Sequence, residues 1–211
     1  MERPVIYYVF DVLCSWCYGF SDNMYQFYEQ HKEDIDFRVM SGGMVLGDSE
    51  GPIGDLPQGI REAFPRIQEM SGRPFSDAFY KLMEEGSAQL SSLPGALAMA
   101  AFRTYQPDNT LAFAKRMQEA FYQEGLPPAQ AATYGHCAED FGMNASDFMK
   151  LMVDKERLEF VQKEFEIVKQ WGITGFPTVV YQEKDKAYLL ARGYQSLEGL
   201  EENLKAVREA V

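Results

Sequence analysis

The chain has 211 residues, 46% of them hydrophobic and 14% aromatic, enough apolar mass for one packed domain or one domain with an insertion. With 25% charged residues the mixture excludes a disordered chain, and a formal net charge of −12 excludes the basic surface that phosphate backbones need, so nucleic acid is not an expected partner. Three cysteines are too few for a secreted disulfide scaffold.

The N-terminus, MERPVIYYVF, lacks a basic region followed by a long apolar core, so no secretory signal is expected there. No stretch approaches the roughly 18 uninterrupted apolar residues of a membrane span, and a cytoplasmic, reducing location is the expectation. VIYYVF (5–10) is continuous, β-branched and aromatic, the pattern of a strand buried on both faces. Cys17, Phe20, Met24, Phe27 and Tyr28 then share one face of a helix that runs to about residue 31. In IDFRVM (35–40), Ile35, Phe37 and Val39 alternate as in a second strand. A helical crossover of this length makes the two strands parallel.

From residue 51 to 154 the sequence predicts helices and no convincing strand. Ser76 precedes one helix, Pro94 suits a first helical position, and Asp108 is placed to cap a segment that Gly125 stops. Ser146 is placed to cap another, and Cys137 shares a helix face with Tyr134 and Phe141, as a buried apolar cysteine would. A long helix follows, with Leu158, Val161, Phe165 and Val168 on one face and Gly172 as its stop. Pro177 opens a strand at Thr178–Tyr181, which pairs through a polar turn with residues 187–192 as an antiparallel hairpin. Leu197, Leu200, Leu204 and Val207 mark a last helix. The expected order is β–α–β, helical insertion, α–β–β–α, with residues 1–50 and 155–211 as one unit and 51–154 inserted into it.

DVLCSWCYGF (11–20) sets Cys14 and Cys17 two residues apart at the joint of the first strand and first helix. Such a pair can be half a metal site, a small structural disulfide or a redox pair. A structural disulfide is out of place in a reducing compartment. A zinc site lacks its other half, since no second C-x-x-C or C-x-x-H exists and the histidines are only His31 and His136. A helix N-terminus presents unsatisfied N–H groups and the positive end of the dipole, so a thiolate at Cys14 is stabilised there. Cys17, one helical turn on and at the start of the apolar face, is expected to be the more buried, resolving thiol, with Cys14 exposed. Trp16, between them, is expected at the surface in contact with substrate.

A strand, C-x-x-C at a helix start and a distant TGFPT before a strand resemble the thioredoxin superfamily. The helical insertion resembles its DsbA-type branch, in particular the leaderless FrnE-like members, and the resemblance spans essentially the whole chain. DVLCSWCYGF and TGFPT are its most specific parts; the paired glycines of SGGM (41–44) add support. It implies an α/β thioredoxin fold with a large all-helical insertion. It also implies a cis bond before Pro177, with Phe176 and Pro177 lining a peptide-binding edge beside Cys14. The implied activity is thiol–disulfide exchange with cysteine-containing proteins or glutathione-type small thiols, through a mixed disulfide formed by Cys14 and resolved by Cys17. No metal or organic cofactor is called for. Two departures stand out: Ser15-Trp16 between the cysteines, and Tyr8 where many relatives carry an acidic residue that assists the resolving thiol, with Asp11 three residues before Cys14. The alternatives are a kappa-type glutathione-dependent isomerase or transferase, resembling hydroxychromene-carboxylate isomerases, and a non-catalytic redox-sensing adaptor. The isomerase type carries a single serine or cysteine at the active position, unlike the intact pair here.

Overall fold

The computed structural model describes residues 3–210. β1 (Val5–Phe10) is extended because its β-branched and aromatic residues suit a pleat buried on both sides. Ile6, Tyr8 and Phe10 enter the main core, while Tyr7 and Val9 turn to the opposite face, as a period of two requires. α1 (Ser15–His31) starts where Cys14 takes an extended conformation and its sulfur accepts a hydrogen bond from the Cys17 N–H; Met24 and Phe27 are then fully buried. β2 (Asp36–Ser41) returns parallel to β1, in a register running from Val5 opposite Asp36 to Phe10 opposite Ser41.

The next hundred residues are helical apart from one small feature that no apolar run announces. β3 (Gly51–Pro52) pairs antiparallel with a second two-residue strand, Gln89–Leu90. Between them lie α2 (Gln58–Ser71) and α3 (Asp77–Glu85), and β4 (Gln89–Leu90) closes the pair. α4 (Leu93–Tyr105), α5 (Thr110–Tyr122), α6 (Ala131–Glu139) and α7 (Ala145–Met152) follow. Ser76 caps α3 as anticipated, its hydroxyl accepting from the Phe79 N–H at 3.1 Å. Pro94 stands second in α4, not first. Asp108 does not cap α5: it falls inside a short 3-10 turn, Pro107–Asn109, and α5 begins after it without a side-chain cap. α7 is capped by Asn144, whose side chain accepts from the Asp147 N–H at 3.0 Å, and Ser146 lies within the helix.

α8 (Lys155–Gln170) buries Val161 and Val168 but leaves Leu158 exposed. It ends at Trp171, ahead of Gly172 at φ +70°, a left-handed position that glycine adopts without a Cβ clash. β5 (Thr178–Glu183) and β6 (Lys186–Arg192) form the antiparallel hairpin, and α9 (Leu197–Ala210) completes the chain. The sheet order is β2-β1-β5-β6, with β1 and β5 central. α1 and α9 cover one face, where Met24, Phe27, Leu200 and Leu204 join the core; α8 covers the other, where Val168 packs on Val9 and Met40.

An aromatic cluster joins the helices of residues 58–122 to the first turn of α1. The Tyr18 ring lies 4.9 Å from Tyr122 and 5.3 Å from Phe75, and Phe75 lies 4.8 Å from Phe64. Such pairs add about 0.5–1.5 kcal/mol each beyond the area they bury. Arg73, itself buried, sits 4.3 Å above the Tyr18 ring and binds Asp22 of α1 at 3.0 Å and Glu119 of α5 at 2.9 Å. The cysteine pair therefore starts a helix whose first turns are held by aromatic packing and ion pairing from the segment after β2.

Candidate active site

β1 delivers the chain to the C-terminal end of the sheet, where residues 11–14 turn into α1. The turn closes with the Cys14 N–H on the Asp11 carbonyl at 3.1 Å. Cys14 is the N-cap residue, and the Cys17 N–H donates to its Sγ at 3.2 Å. The sulfur takes the place of the hydroxyl or carboxylate oxygen that usually satisfies this orphan N–H. When Cys14 is a thiolate the same contact becomes charge-assisted, at the positive end of the helix dipole.

Both cysteines are free thiols. Cys14 is less exposed than expected, at 5%, because the segment before β5 lies against it: its S–H donates to the Phe176 carbonyl at 3.4 Å. The Phe176–Pro177 bond is cis, and Pro177 is buried at the start of β5. Trp16 is half-buried, packed on Tyr194 with ring centroids 6.3 Å apart. The five residues singled out from the sequence therefore fall at one place: Cys14 and Phe176 in direct contact, Cys17 and Trp16 on the same helical turn, and Pro177 next in the chain to Phe176. Cys17 is 0% exposed. Burial first, and then the adjacent Cys14 sulfur, push its thiol well above its usual value, whereas a backbone hydrogen bond with Asp11 pulls the other way.

Four further residues shape the site: Asp11 and Tyr8, already noted beside the cysteines in the sequence, and Gln118 and Tyr122, which no local signal marks. Asp11 is buried, and its carboxylate accepts from the Leu13 N–H at 3.0 Å and the Met44 N–H at 2.8 Å, tying the cysteine turn to the glycine loop after β2. Burial raises its pKa despite those bonds. Tyr8 is also buried, and among the described residues its hydroxyl has no hydrogen-bond partner. Burial, then the charges of Cys17 and Cys14, push its phenol well upward, so Tyr8 remains a neutral phenol beside the pair. From α5, Tyr122 donates to the Leu13 carbonyl at 2.6 Å, and Gln118 donates to the Asp11 and Cys14 carbonyls at 3.3 and 3.5 Å. Only contact across more than a hundred residues of sequence reveals the last two.

Gly42 fits the Phe176 ring closely. A Cβ at Gly42 would stand 2.3 Å from two of its ring carbons, so the first of the paired glycines leaves the space that Phe176 fills. Among the described residues no cluster of histidine, cysteine and carboxylate side chains could hold a metal ion. No helix there is long and apolar enough to cross a membrane.

A sheet of order β2-β1-β5-β6, a C-x-x-C turn at the head of α1 and a cis-proline segment against it define a thioredoxin-fold protein of the thiol–disulfide oxidoreductase class. The chain belongs to the DSBA-like thioredoxin domain family, whose model matches residues 5–205. Among solved structures it is similar to a protein from Nitrosomonas europaea assigned as a protein disulfide isomerase, with 26% identity, a TM-score of 0.86 and 99% of each chain covered. It is also similar to the cytosolic disulfide reductase DsbM from Pseudomonas aeruginosa, with 23% identity, a TM-score of 0.81 and coverage of 97% of this chain and 99% of that one. DsbM has also been solved with glutathione. A 2-hydroxychromene-2-carboxylate isomerase shares the fold at 13% identity and a TM-score of 0.65, covering 98% of this chain and 95% of its own. A comparison with curated proteins gives no match.

Proposed function

We propose that the protein exchanges disulfides through Cys14 and Cys17, with Trp16, Phe176 and Pro177 forming the surface against which the substrate disulfide is held. The observation that carries this reading is the position of the Cys14 sulfur, which accepts from the Cys17 N–H at 3.2 Å and meets the Phe176 carbonyl at 3.4 Å. One side of the sulfur is stabilised by the helix, and the other faces the segment where a substrate chain would lie.

In the reductive direction the Cys14 thiolate attacks a substrate disulfide, forming one S–S bond and releasing one substrate thiolate. Cys17 gives up its proton to that thiolate and attacks the Cys14 sulfur. The Cys14–Cys17 disulfide forms, the second substrate thiolate leaves, and two electrons have passed to the substrate. The raised pKa of Cys17 fits this order, because the resolving thiol stays protonated until the mixed disulfide has formed. A glutathione-type small thiol is the reductant class we assign for the return step, supported by the DsbM structure with glutathione. The few cysteines of the chain suit a cytoplasmic setting. The intact pair supports exchange over isomerisation by a single active-site residue.

In Cys17→Ala the mixed disulfide can form, but its fast exit is gone. A thiol on the same helical turn acts at an effective concentration that an external thiol does not match. The variant is expected to accumulate reductant-sensitive covalent adducts with proteins or glutathione, seen by mass spectrometry and non-reducing gels, while Cys14→Ala and the double variant stay free of them. Absence of adducts from Cys17→Ala in cells and with oxidised glutathione overturns the mechanism.

A further inference from the structure

β2 is an edge strand, and its outer edge is closed over only half its length. The Asp36 N–H bonds to the Pro4 carbonyl and the Gly42 N–H to the Phe10 carbonyl, so the even-numbered residues of β2 address β1. The backbone groups of Phe37, Val39 and Ser41 therefore point away from the sheet. Toward the end of the strand they are taken: the Arg103 guanidinium donates to the Val39 carbonyl at 2.5 Å, and the Glu164 carboxylate accepts from the Ser41 N–H at 2.8 Å. Toward its start, the Phe37 N–H and carbonyl and the Val39 N–H have no partner among the described residues. Charged side chains commonly guard sheet edges; here they guard one half and leave the other open.

The open half forms the floor of a cleft of about 870 Å³, lined by none of the residues assigned to the exchange site. This volume lies within the ~300–1,000 Å³ of ligand sites. One wall is a face of α8 and the residue after it, where Phe160, Ile167 and Trp171 are exposed although large and apolar. Their spacing of seven and four residues keeps them on one side of a helix. Arg38 stands on this side, 5.8 Å from the Tyr7 ring, which in turn packs edge-on against Trp171 at 5.0 Å. Across the strand edge, Phe37 meets Tyr28 edge-on at 5.2 Å, and the Tyr28 hydroxyl donates to the Asp108 carbonyl at 2.9 Å.

Five cationic and four acidic side chains line the cleft. Arg3 engages Asp36 at 3.3 Å and Arg103 engages Glu164 at 2.9 Å, while Lys32 is held by Glu29. Arg38 and Lys163 remain, with no carboxylate in salt-bridge range among the described residues, on the α8 side; Glu33 and Asp108 stand on the Tyr28 side. We infer that the cleft binds an extended polypeptide segment as an added strand on β2. Its alternate residues carry carboxylates toward Arg38 and Lys163 and apolar side chains toward Phe37 and Tyr28. Only an extended backbone offers acceptors and donors at the spacing that Phe37 and Val39 present, and its period of two matches the different chemistry of the two sides. In a chain of net charge −12, a wall whose free charges are cations selects for carboxylates.

The probe is a fluorescein-labelled, cysteine-free peptide of about ten residues alternating glutamate and valine, titrated against the full chain by anisotropy. Because it cannot exchange disulfides, its result is independent of the proposed redox function. Saturable binding is expected, weakened about tenfold or more when lysine replaces glutamate, and likewise in the protein variant Arg38→Glu/Lys163→Glu. That variant should turn over a small disulfide as the parent chain does, which shows it folded. N-methylation of alternate peptide residues should abolish binding in one register and spare it in the other. The proposal is overturned by no binding up to about 1 mM, by equal binding of both methylated registers, or by unchanged binding to the charge-reversed protein. It is also overturned if sedimentation reveals a dimer that the charge reversal breaks, since a second copy would then be the occupant.

Discussion

A carboxylate buried beside two thiols alters the stability of the fold as well as the chemistry of the site. Asp11 accepts two backbone N–H bonds, which favour its ionised form, yet desolvation outweighs them and its pKa is raised. Between the ordinary carboxylate value and the raised native one, the native state keeps a proton that the unfolded chain has released. Stability contributed at this residue is therefore lost as pH rises through that window, by about 1.4 kcal/mol for each unit the pKa is raised. Asp11→Asn removes the titration. The stability of the variant relative to the parent, from urea unfolding at a series of pH values, should improve as pH rises from about 4 and then level off. A difference that worsens over the same range would refute the assignment. At the other thiol, Cys137, burial pushes the pKa to about 12. Brief, limiting iodoacetamide near neutral pH should therefore label Cys14 ahead of Cys137, and labelling of Cys137 first would contradict both its buried setting and the reactivity assigned to Cys14.

At the scale of elements, the site is a meeting of three segments, and their legibility in the sequence differs for physical reasons. The turn at residues 11–17 was legible because strand, helix and cysteine spacing are all local. TGFPT was legible through family resemblance, and the contact between Phe176 and Cys14, 162 residues apart, followed from that resemblance alone. The hold of α5 on the cysteine turn was not legible, because Gln118 and Tyr122 look like ordinary core positions of an amphipathic helix. α2 falls within the stretch expected to be helical but has no individual signal in the sequence: Pro65 lies inside it and suggests a break, although Phe64 and Ile67 are buried as on any packed helix. Gly42 sets the spacing between two of the three segments. In Gly42→Ala the methyl group overlaps the far end of the Phe176 ring, so the ring must swing out of the space it fills and the surface it forms beside the Cys14 sulfur is reshaped. Overpacking of this kind costs about 1–3 kcal/mol, and a misplacement near 1 Å can cost up to about a hundredfold in rate. The expected result is turnover of a disulfide substrate reduced by about tenfold or more. Gly59→Ala, in a helix with open space around it, should leave turnover unchanged. Equal turnover of the two variants would show that the position of Phe176 does not matter.

Across the whole molecule, two of the places where the segment after β2 is bound to the rest of the fold differ in kind. One is the aromatic cluster beneath α1. The other is the Arg103–Glu164 pair, where α4 and α8 meet the edge of β2 through the Val39 carbonyl and the Ser41 N–H. Glu164 is buried and depends on Arg103 for its countercharge, so the two partners are not equivalent to a pair of apolar residues. Breaking such a pair from one side strands a buried charge and costs about 3–5 kcal/mol, whereas replacing both with apolar side chains is often close to neutral. Arg103→Met should lower the melting temperature by roughly 10 °C in a chain of this size. Arg103→Met/Glu164→Met should recover part of that loss, because it removes the charge and leaves only two backbone groups short of partners, at about 1–3 kcal/mol each at most. Thermal unfolding of the two singles and the double measures the coupling directly. A double variant less stable than Arg103→Met would mean that the pair secures the strand edge chiefly through its backbone hydrogen bonds rather than through the charge balance between its members.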